Sequence, residues 1–309
     1  MKKKDVTVSP KRTRVIAVLR RCSFVFIIYF SVTYFSHPGY AQHLTGPVSG
    51  SLGGAGRAAI DDGEQVLLNP AALVHGSPFT SSLLYSDGAL APQEKQTTWG
   101  IGFADNSEEL FFSGAFLYAQ QKKSFPTRSS REEEYHQFTM AQFLIPHLSV
   151  GAAVTYLKTK VQSGGKNYDQ WDGHLGLLYN PTPEFAVGAV FYNVARQDES
   201  VPEELRNLDA IALGFHYLYR PEFRLRADVV QLQVQNPNHK KDFQIGFESR
   251  SLEFFSVRAG YERDEVLDRA YYTGGVAFDG PRMKIDYSYR QHIESGEAMH
   301  GVDLRVPFW

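Results

Sequence analysis

The sequence predicts an all-β fold: an antiparallel transmembrane β-barrel of about 14 strands, preceded by an N-terminal segment that is not strand-like. Three observations point there. From Phe79 to the end, short segments alternate apolar and polar residues with a period of two, split by turn residues. Their apolar phase often carries Tyr, Phe or Trp near its ends, where an aromatic girdle meets a membrane interface. Their connections also sort by length, tight after even-numbered segments and longer and more polar after odd-numbered ones. The composition agrees. The chain of 309 residues holds 22 Phe, 17 Tyr and 3 Trp, yet is hydrophilic on average. A polytopic helical membrane protein would need several apolar runs of about 20 residues and is excluded. The abundance of aromatic and β-branched residues excludes disorder.

The N-terminus reads as an address. Lys2, Lys3, Lys4, Lys11, Arg12, Arg14, Arg20 and Arg21 precede the apolar stretch Phe24 to Phe35, and Pro38, Gly39 and Ala41 follow it. This is the pattern of a secretory signal peptide, residues 1–41, with cleavage expected after Ala41; a retained membrane anchor is the other reading. Without residues 1–41 the 32 basic and 34 acidic residues become 24 and 33, a net charge of −9. Such an acidic chain is unsuited to nucleic acid, which requires clustered positive charge. Cys22 precedes the apolar core, so the mature chain has no cysteine for disulfides, thiolate metal sites or lipidation.

The strand-like segments follow in order. Trp99, Ile101 and Phe103 alternate with Gly100 and Gly102. Leu110, Phe112, Gly114, Phe116 and Tyr118 form the next series, then Leu148, Val150, Ala152, Val154 and Tyr156. Trp171 to Tyr179, Ile211 to Tyr219, Phe223 to Val229 and Met283 to Tyr289 repeat the pattern, and His300 to Phe308 carries it to within one residue of Trp309. Most segments are about nine to eleven residues, the length that crosses a bilayer at a tilt. Tight turns are expected at Asp105-Asn106, Pro146-His147, Pro181-Thr182-Pro183, Arg220-Pro221, Arg250 and Asp279-Gly280-Pro281. Longer loops are expected at Gln120–Glu133, Arg196–Arg206 and Gln291–Glu297. A soluble sandwich would alternate too, but it has no reason to sort its loops. In hydrocarbon a β-protein must also close on itself, because nothing there hydrogen-bonds a free edge.

With the aromatic phase facing lipid, the other phase lines the lumen. It offers a polar wall of Asp172, His174, Arg224, Arg226, Asp228, Lys284, Asp286 and Arg290, joined by Gln170, Asp303 and Arg305. Both signs are interleaved, which suits ion pairs holding a plug better than a one-sign constriction. Phe185 to Val194 breaks the pattern by being apolar on both phases. An apolar strip inside is expected from Phe185, Val187 and Phe191 with Ala210 and Ala212, able to receive either a hydrophobic ligand or apolar residues of the N-terminal segment.

Residues 42–78 carry Gly46, Gly50, Gly53, Gly54 and Gly56, then Asp61-Asp62, an apolar Val66-Leu67-Leu68, and Asn69-Pro70-Ala71-Ala72-Leu73. No strand precedes the glycines and no Gly-Lys-Ser/Thr follows, so a nucleotide loop is not supported. Ser51-Leu52-Gly53-Gly54-Ala55-Gly56, the acidic pair and Asn69-Pro70-Ala71 together resemble the start of FadL-type outer-membrane proteins, which include hydrophobic-compound transporters and the related PorV-like barrels. The resemblance covers about thirty residues closely. It implies a fourteen-strand barrel (79–309) whose N-terminal hatch or plug (42–78) folds into the lumen, with Asn69, Pro70, Ala71, Gly53, Gly54 and Gly56 as the hatch motif. It also implies a wall gap near the third strand, for which Gly114 is the candidate hinge.

The function so implied is passive uptake of small hydrophobic molecules such as long-chain fatty acids or hydrocarbons across the outer membrane of a Gram-negative bacterium. The alternative is a plugged barrel that acts in interaction or secretion without transport. Outer-membrane lipid, the barrel-assembly machinery and a hydrophobic ligand are the expected partners. Catalysis is not expected: no serine stands in a triad context, and Asp172 with His174 reads as wall polarity. No tight ligand set occurs among the ten histidines, so neither cofactor nor metal is expected.

Overall fold

Segments with one apolar and one polar face bury the polar face by rolling into a tube. The computed structural model describes residues 44–308, apart from 61–63, 93, 108, 110, 126–129, 163–164, 196–198, 233–239 and 266. The expected signal segment 1–41, Asp61, Asp62, Leu110 and Trp309 lie outside the described residues. Fourteen strands are formed among those described: β1 (Phe79–Ala91), β2 (Glu94–Asp105), β3 (Ser113–Ser124), β4 (Arg131–Ile145), β5 (Leu148–Val161), β6 (Lys166–Thr182) and β7 (Phe185–Tyr192). The second half comprises β8 (Ala210–Tyr219), β9 (Phe223–Leu232), β10 (Lys241–Leu252), β11 (Phe255–Asp264), β12 (Arg269–Asp279), β13 (Lys284–His292) and β14 (Ala298–Phe308). Each pairs antiparallel with its sequence neighbours, and β1 pairs with β14 from Phe79↔Phe308 to Gly88↔Met299. The sheet is therefore closed and leaves no unpaired edge.

The outer phase is apolar and exposed. On β6 it comprises Trp171, Leu175, Leu177 and Tyr179, and on β8 Leu213, Tyr217 and Tyr219. Two aromatic belts bound this surface. At one rim ring contacts run Trp99–Tyr118 (5.3 Å), Tyr118–His136 (5.0 Å), His136–Tyr156 (5.8 Å) and Tyr156–Trp171 (4.9 Å). At the other, Phe79 meets Phe308 (5.6 Å), Phe223 meets Phe247 (5.9 Å) and Phe255 meets Phe278 (5.3 Å). From Trp171 to Tyr179 the strand rises about 26 Å, or about 20 Å along the barrel axis at a ~40° tilt, near the ~25 Å apolar band of membrane barrels.

The end bearing Phe79, Phe308 and most of the tight turns is the turn end; the opposite one is the loop end. Turns at 146–147, 183–184 and 253–254 contrast with the longer connections, 193–209 and 233–240, between strands at the other end. Two connections depart from the expected sorting. The β1–β2 link at the loop end is only 92–93, whereas β2–β3 at the turn end spans 106–112. The latter is longer because it reaches under the lumen: Asn106 Nδ2 donates to Val74 O (2.9 Å) and Gly76 O (2.8 Å). Strands also run from 8 residues (β7) to 17 (β6), beyond the expected range, because several continue past the belt at the loop end. The expected gap at Gly114 is not formed. Asp105↔Gly114 and Gly114↔Met140 keep both ladders of β3 continuous.

The segment 44–78 fills the lumen as a hatch. It comprises α1 (Pro47–Gly50), α2 (Gln65–Leu68) and a 3₁₀ turn (Pro70–His75), and ends where β1 begins.

Candidate functional site

Three polar clusters hold the hatch, the first two binding it to the wall and the third joining its own halves. At the first, Asn69 is wholly buried, its Oδ1 accepting from Ala71 N (3.0 Å) while its Nδ2 donates to Arg57 O (2.7 Å) and Leu177 O (3.2 Å). One amide thus caps the 3₁₀ turn, ties it to an earlier stretch of hatch and fastens both to β6. Pro70 opens the turn with its fixed φ and lacks the N–H that would otherwise go unpaired there. Ala71 O accepts from Ser149 Oγ (2.8 Å) on β5.

The second anchor was not visible in the sequence. Arg57, 5% exposed, donates from Nη1 to Asp228 Oδ2 (3.0 Å) and Gln244 Oε1 (2.6 Å), and from Nε to Tyr192 OH (3.0 Å). The amides of Gly56 (2.8 Å) and Arg57 (2.9 Å) donate to the same Asp228 oxygen. Asp228, a wall residue, is therefore the hatch's main ionic partner. Gly53 and Gly54 have φ of +68° and +84°, a turn that side chains resist, and it lets the chain lie flat on β10 and β11.

The third is Glu64, which accepts from Val48 N (2.5 Å), Ser49 N (3.1 Å) and Ser49 Oγ and so joins the two halves of the hatch. Burial pushes its carboxyl above the ordinary range, against the pull of these donors. His75, at the end of the 3₁₀ turn and edge-on to Phe143 (5.3 Å), is pushed down by burial.

A track of wall glycines receives the hatch backbone. A side chain at Gly151 would strike Pro70 and Ala71; at Gly176, Asn69; at Gly188 and Gly214, Arg57 and Ala58; at Gly246 and Gly260, Leu52 and Gly53; at Gly275, Ser51; and at Gly301, Pro47. Several are register partners, Gly151↔Gly176, Gly188↔Gly214 and Gly246↔Gly260, so they merge into a groove.

The polar wall is ion-paired towards the turn end. Arg224 Nη1 meets Glu248 Oε1 (2.8 Å), and Arg258 meets Glu248 Oε2 (2.6 Å) and Asp286 Oδ1 (2.5 Å). Arg305 then meets Asp286 Oδ2 and Asp303 Oδ2 (3.0 Å). Arg290 meets Glu262 (2.9 Å) and lies over the Tyr271 ring at 4.0 Å. Arg226 is buried and Lys284 half-buried on the same inward phase. Asp172 Oδ1 accepts from Ala195 N (3.1 Å) and His174 Nδ1 from Asn193 N (3.2 Å), so both hold the loop after β7. Among the described residues no three His, Asp, Glu or Cys side chains gather as a metal site.

The apolar strip is corrected. Phe185, Val187 and Phe191 lie on the outward phase, Val187 and Phe191 exposed at 38% and 46%. Register decides this: Phe191 pairs with Ile211 and Val187 with Phe215, both on the outer phase of β8. The inward residues of β7 are Ala186, Gly188, Val190 and Tyr192. Ala186 packs with Ala58, Ala71 and Ala72 of the hatch, while Val190 and Tyr192 pack with Ala210, Ala212 and Val230. Ala186 and Gly188 are small because the hatch presses against them.

On the other side of the lumen the fit is looser. A cleft of about 60 Å³ separates Val66, Leu67 and Leu73 of the hatch from Ser82 and Leu84 on β1, Gly102 on β2 and Leu117 on β3. Gly76, Ser77, Thr80 and Ala104 line its turn end, and Glu64, Asp303 and Arg305 its inner end. A buried cavity of about 150 Å³ holds benzene; the cleft at rest is smaller, so a ring enters only as hatch side chains give way. A second space of about 40 Å³, lined by Leu44, Gln121, Glu133, Tyr135 and His174, lies under the loop end.

A closed barrel of fourteen strands plugged by its own N-terminal segment defines the class. No family model and no curated protein matches the sequence. The fold, however, is that of the FadL-type barrels. The CymD monoaromatic hydrocarbon channel superposes with a TM-score of 0.70 at 14% identity, covering 87% of this chain and 99% of that one. The Ralstonia pickettii toluene transporter TbuX gives 0.63 at 16% identity, covering 89% and 100%. A Pseudomonas aeruginosa FadL homologue gives 0.66 at 11%, covering 88% and 100%. At these identities the likeness is one of fold.

Proposed function

We propose that the chain is an outer-membrane barrel of a Gram-negative envelope that passes small hydrophobic molecules inward by passive diffusion. The observation that carries this reading is the cleft, a loosely packed apolar boundary between hatch and wall. The ion-paired lumen supports it, because a plugged and charge-neutralised passage gives hydrophilic solutes no open path. The fold likeness to a hydrocarbon channel and a toluene transporter supports it too. Short turns in such barrels face the periplasm, so the turn end is assigned there, with the belts in lipid and insertion by the barrel-assembly machinery after export. Since the wall is closed at Gly114, passage depends on the hatch yielding. The cleft's small volume favours compact hydrocarbons over long-chain fatty acids.

The test is uptake of labelled toluene by proteoliposomes. Protein-dependent accumulation is expected, and none with any hydrophobic probe discards the reading. The small resting cleft also favours a second reading, a plugged barrel serving interaction or secretion. Co-purification of a stoichiometric partner, with no ligand binding, would decide for it.

A further inference from the structure

The inner end of the cleft is built to accept a hydrogen bond. Its three charged residues have different commitments. Both oxygens of Glu64 are occupied by Val48 N, Ser49 N and Ser49 Oγ. Arg305 is divided between Asp286 Oδ2 and Asp303 Oδ2. Asp303 is 2% exposed, and while its Oδ2 is held by Arg305 Nε at 3.0 Å, its Oδ1 is buried and receives no hydrogen bond.

A buried acceptor without a donor carries its full desolvation penalty, which any donor reaching it relieves. Apart from the hydroxyls of Ser77, Thr80 and Ser82, the rest of the cleft is apolar. Opposite Asp303 in register stands Leu84, and beyond it are Leu117, Leu67 and Val66. Within the lining, two carboxylates face one arginine that they share with a third, Asp286. A ligand carboxylate would meet an unfavourable charge. A neutral or cationic donor attached to an apolar body would fill both parts.

We propose that the cleft is a binding site for small hydrophobic molecules bearing a hydrogen-bond donor (phenols, alcohols or amines), with Asp303 Oδ1 as the acceptor that selects them over carboxylates. This rests on the uptake reading above and names its substrate class. A site that requires a donor discriminates strongly against an analogue lacking one, because the acceptor is again left unpaired.

The test measures binding to the purified full-length barrel of four probes that share a tolyl body: p-cresol, its methyl ether, toluene and p-toluate. In the wild type, p-cresol is expected to bind about 10-fold or more tighter than the ether or toluene, with p-toluate weakest. In Asp303→Asn the amide oxygen can serve Arg305 and place an N–H in the cleft, so the cresol-to-ether ratio should fall below about 2. Toluene affinity should stay within about twofold, which a collapsed variant would not show. Equal wild-type binding of cresol, ether and toluene overturns the proposal even if Asp303→Asn fails to fold, as does p-toluate binding best. Toluene uptake without donor preference would overturn this inference and leave the uptake reading standing. Absence of binding and uptake for every probe would overturn both.

Discussion

Replacing Arg57 with methionine tests whether the hatch is held by one buried ionic anchor. The change keeps the length and apolar stem but strands Asp228, which is 2% exposed. Removing one partner of a buried pair costs about 3–5 kcal/mol. Asp228 retains the amides of Gly56 and of residue 57 as donors, so the lower end applies, about 3 kcal/mol, or roughly a hundredfold in the population of unlatched hatch. The barrel ladder contains none of these bonds and should melt as before. Amide hydrogen exchange reads both parts at once: peptides covering 47–60 and 69–75 should exchange about a hundredfold faster, while β10–β13 keep their protection. Adding Asp228→Asn removes the stranded charge yet leaves an oxygen for Gly56 N, so most of the protection should return. If Arg57→Met leaves hatch exchange within about threefold of wild type, the anchor lies elsewhere and the reasoning fails.

Other expectations follow from the same geometry. Asn69→Asp sets an acceptor against the carbonyls of Arg57 and Leu177, so limited proteolysis should cut the hatch of this variant sooner than that of Asn69→Ala. Gly260→Leu should expel the hatch, because its side chain meets Leu52 and Gly53, whereas Gly114→Ala, whose added carbon has only Phe112 at 3.9 Å, should leave gel mobility and melting unchanged. Phe191 lies opposite Leu175, midway between Trp171 and Tyr179, so Phe191→Arg should lower folding stability in vesicles by about 2–4 kcal/mol; no loss would return it to the lumen. Burial holds His75 below its ordinary value of 6.5, so its contribution is present above that pH and lost as pH falls through the depressed value. Exchange of residues 70–76 should therefore quicken on acidification in the wild type and less so in His75→Phe.

What the sequence disclosed was whatever one strand shows alone. Trp171 to Tyr179 displays its outer face because lipid demands bulk and grease there while the lumen takes Asp172 and His174. Where the lumen is also apolar, as on β7, polarity gives no phase, and the alternation alone cannot tell that Phe185, Val187 and Phe191 face outward. Ala186 and Gly188 are small, as a wall pressed by a plug requires, but Tyr192 on the same inward phase and Ala189 on the outer one blur that signal. Arg57 gave no warning, since its partner Asp228 stands 171 positions away and only closure of the sheet joins them. The wall glycines were equally mute. Singly each reads as a weak spot in a strand; paired across strands they form the track on which the hatch lies.

That track is also uneven, and the unevenness locates the cleft. Glycines on β5 to β8, β10 to β12 and β14 bring the hatch backbone into contact with the wall. On β2 the pattern changes: side chains at Gly100 and Gly102 would meet Tyr118, Ala119, Ser82 and Leu117 of the wall itself, not the hatch. No glycine of β1–β3 is pressed by the hatch, and here Leu67, Leu84 and Leu117 face one another across the gap. Side chains rotate far more readily than a clamped backbone shifts, so this sector is where the plug can yield without releasing Arg57 or Asn69. Mutations that tighten it separate the two routes. Gly102→Leu should fill the cleft and abolish toluene uptake while leaving hatch exchange at 47–60 unchanged. If uptake survives that change, the guest passes elsewhere, and the whole hatch must move to admit it.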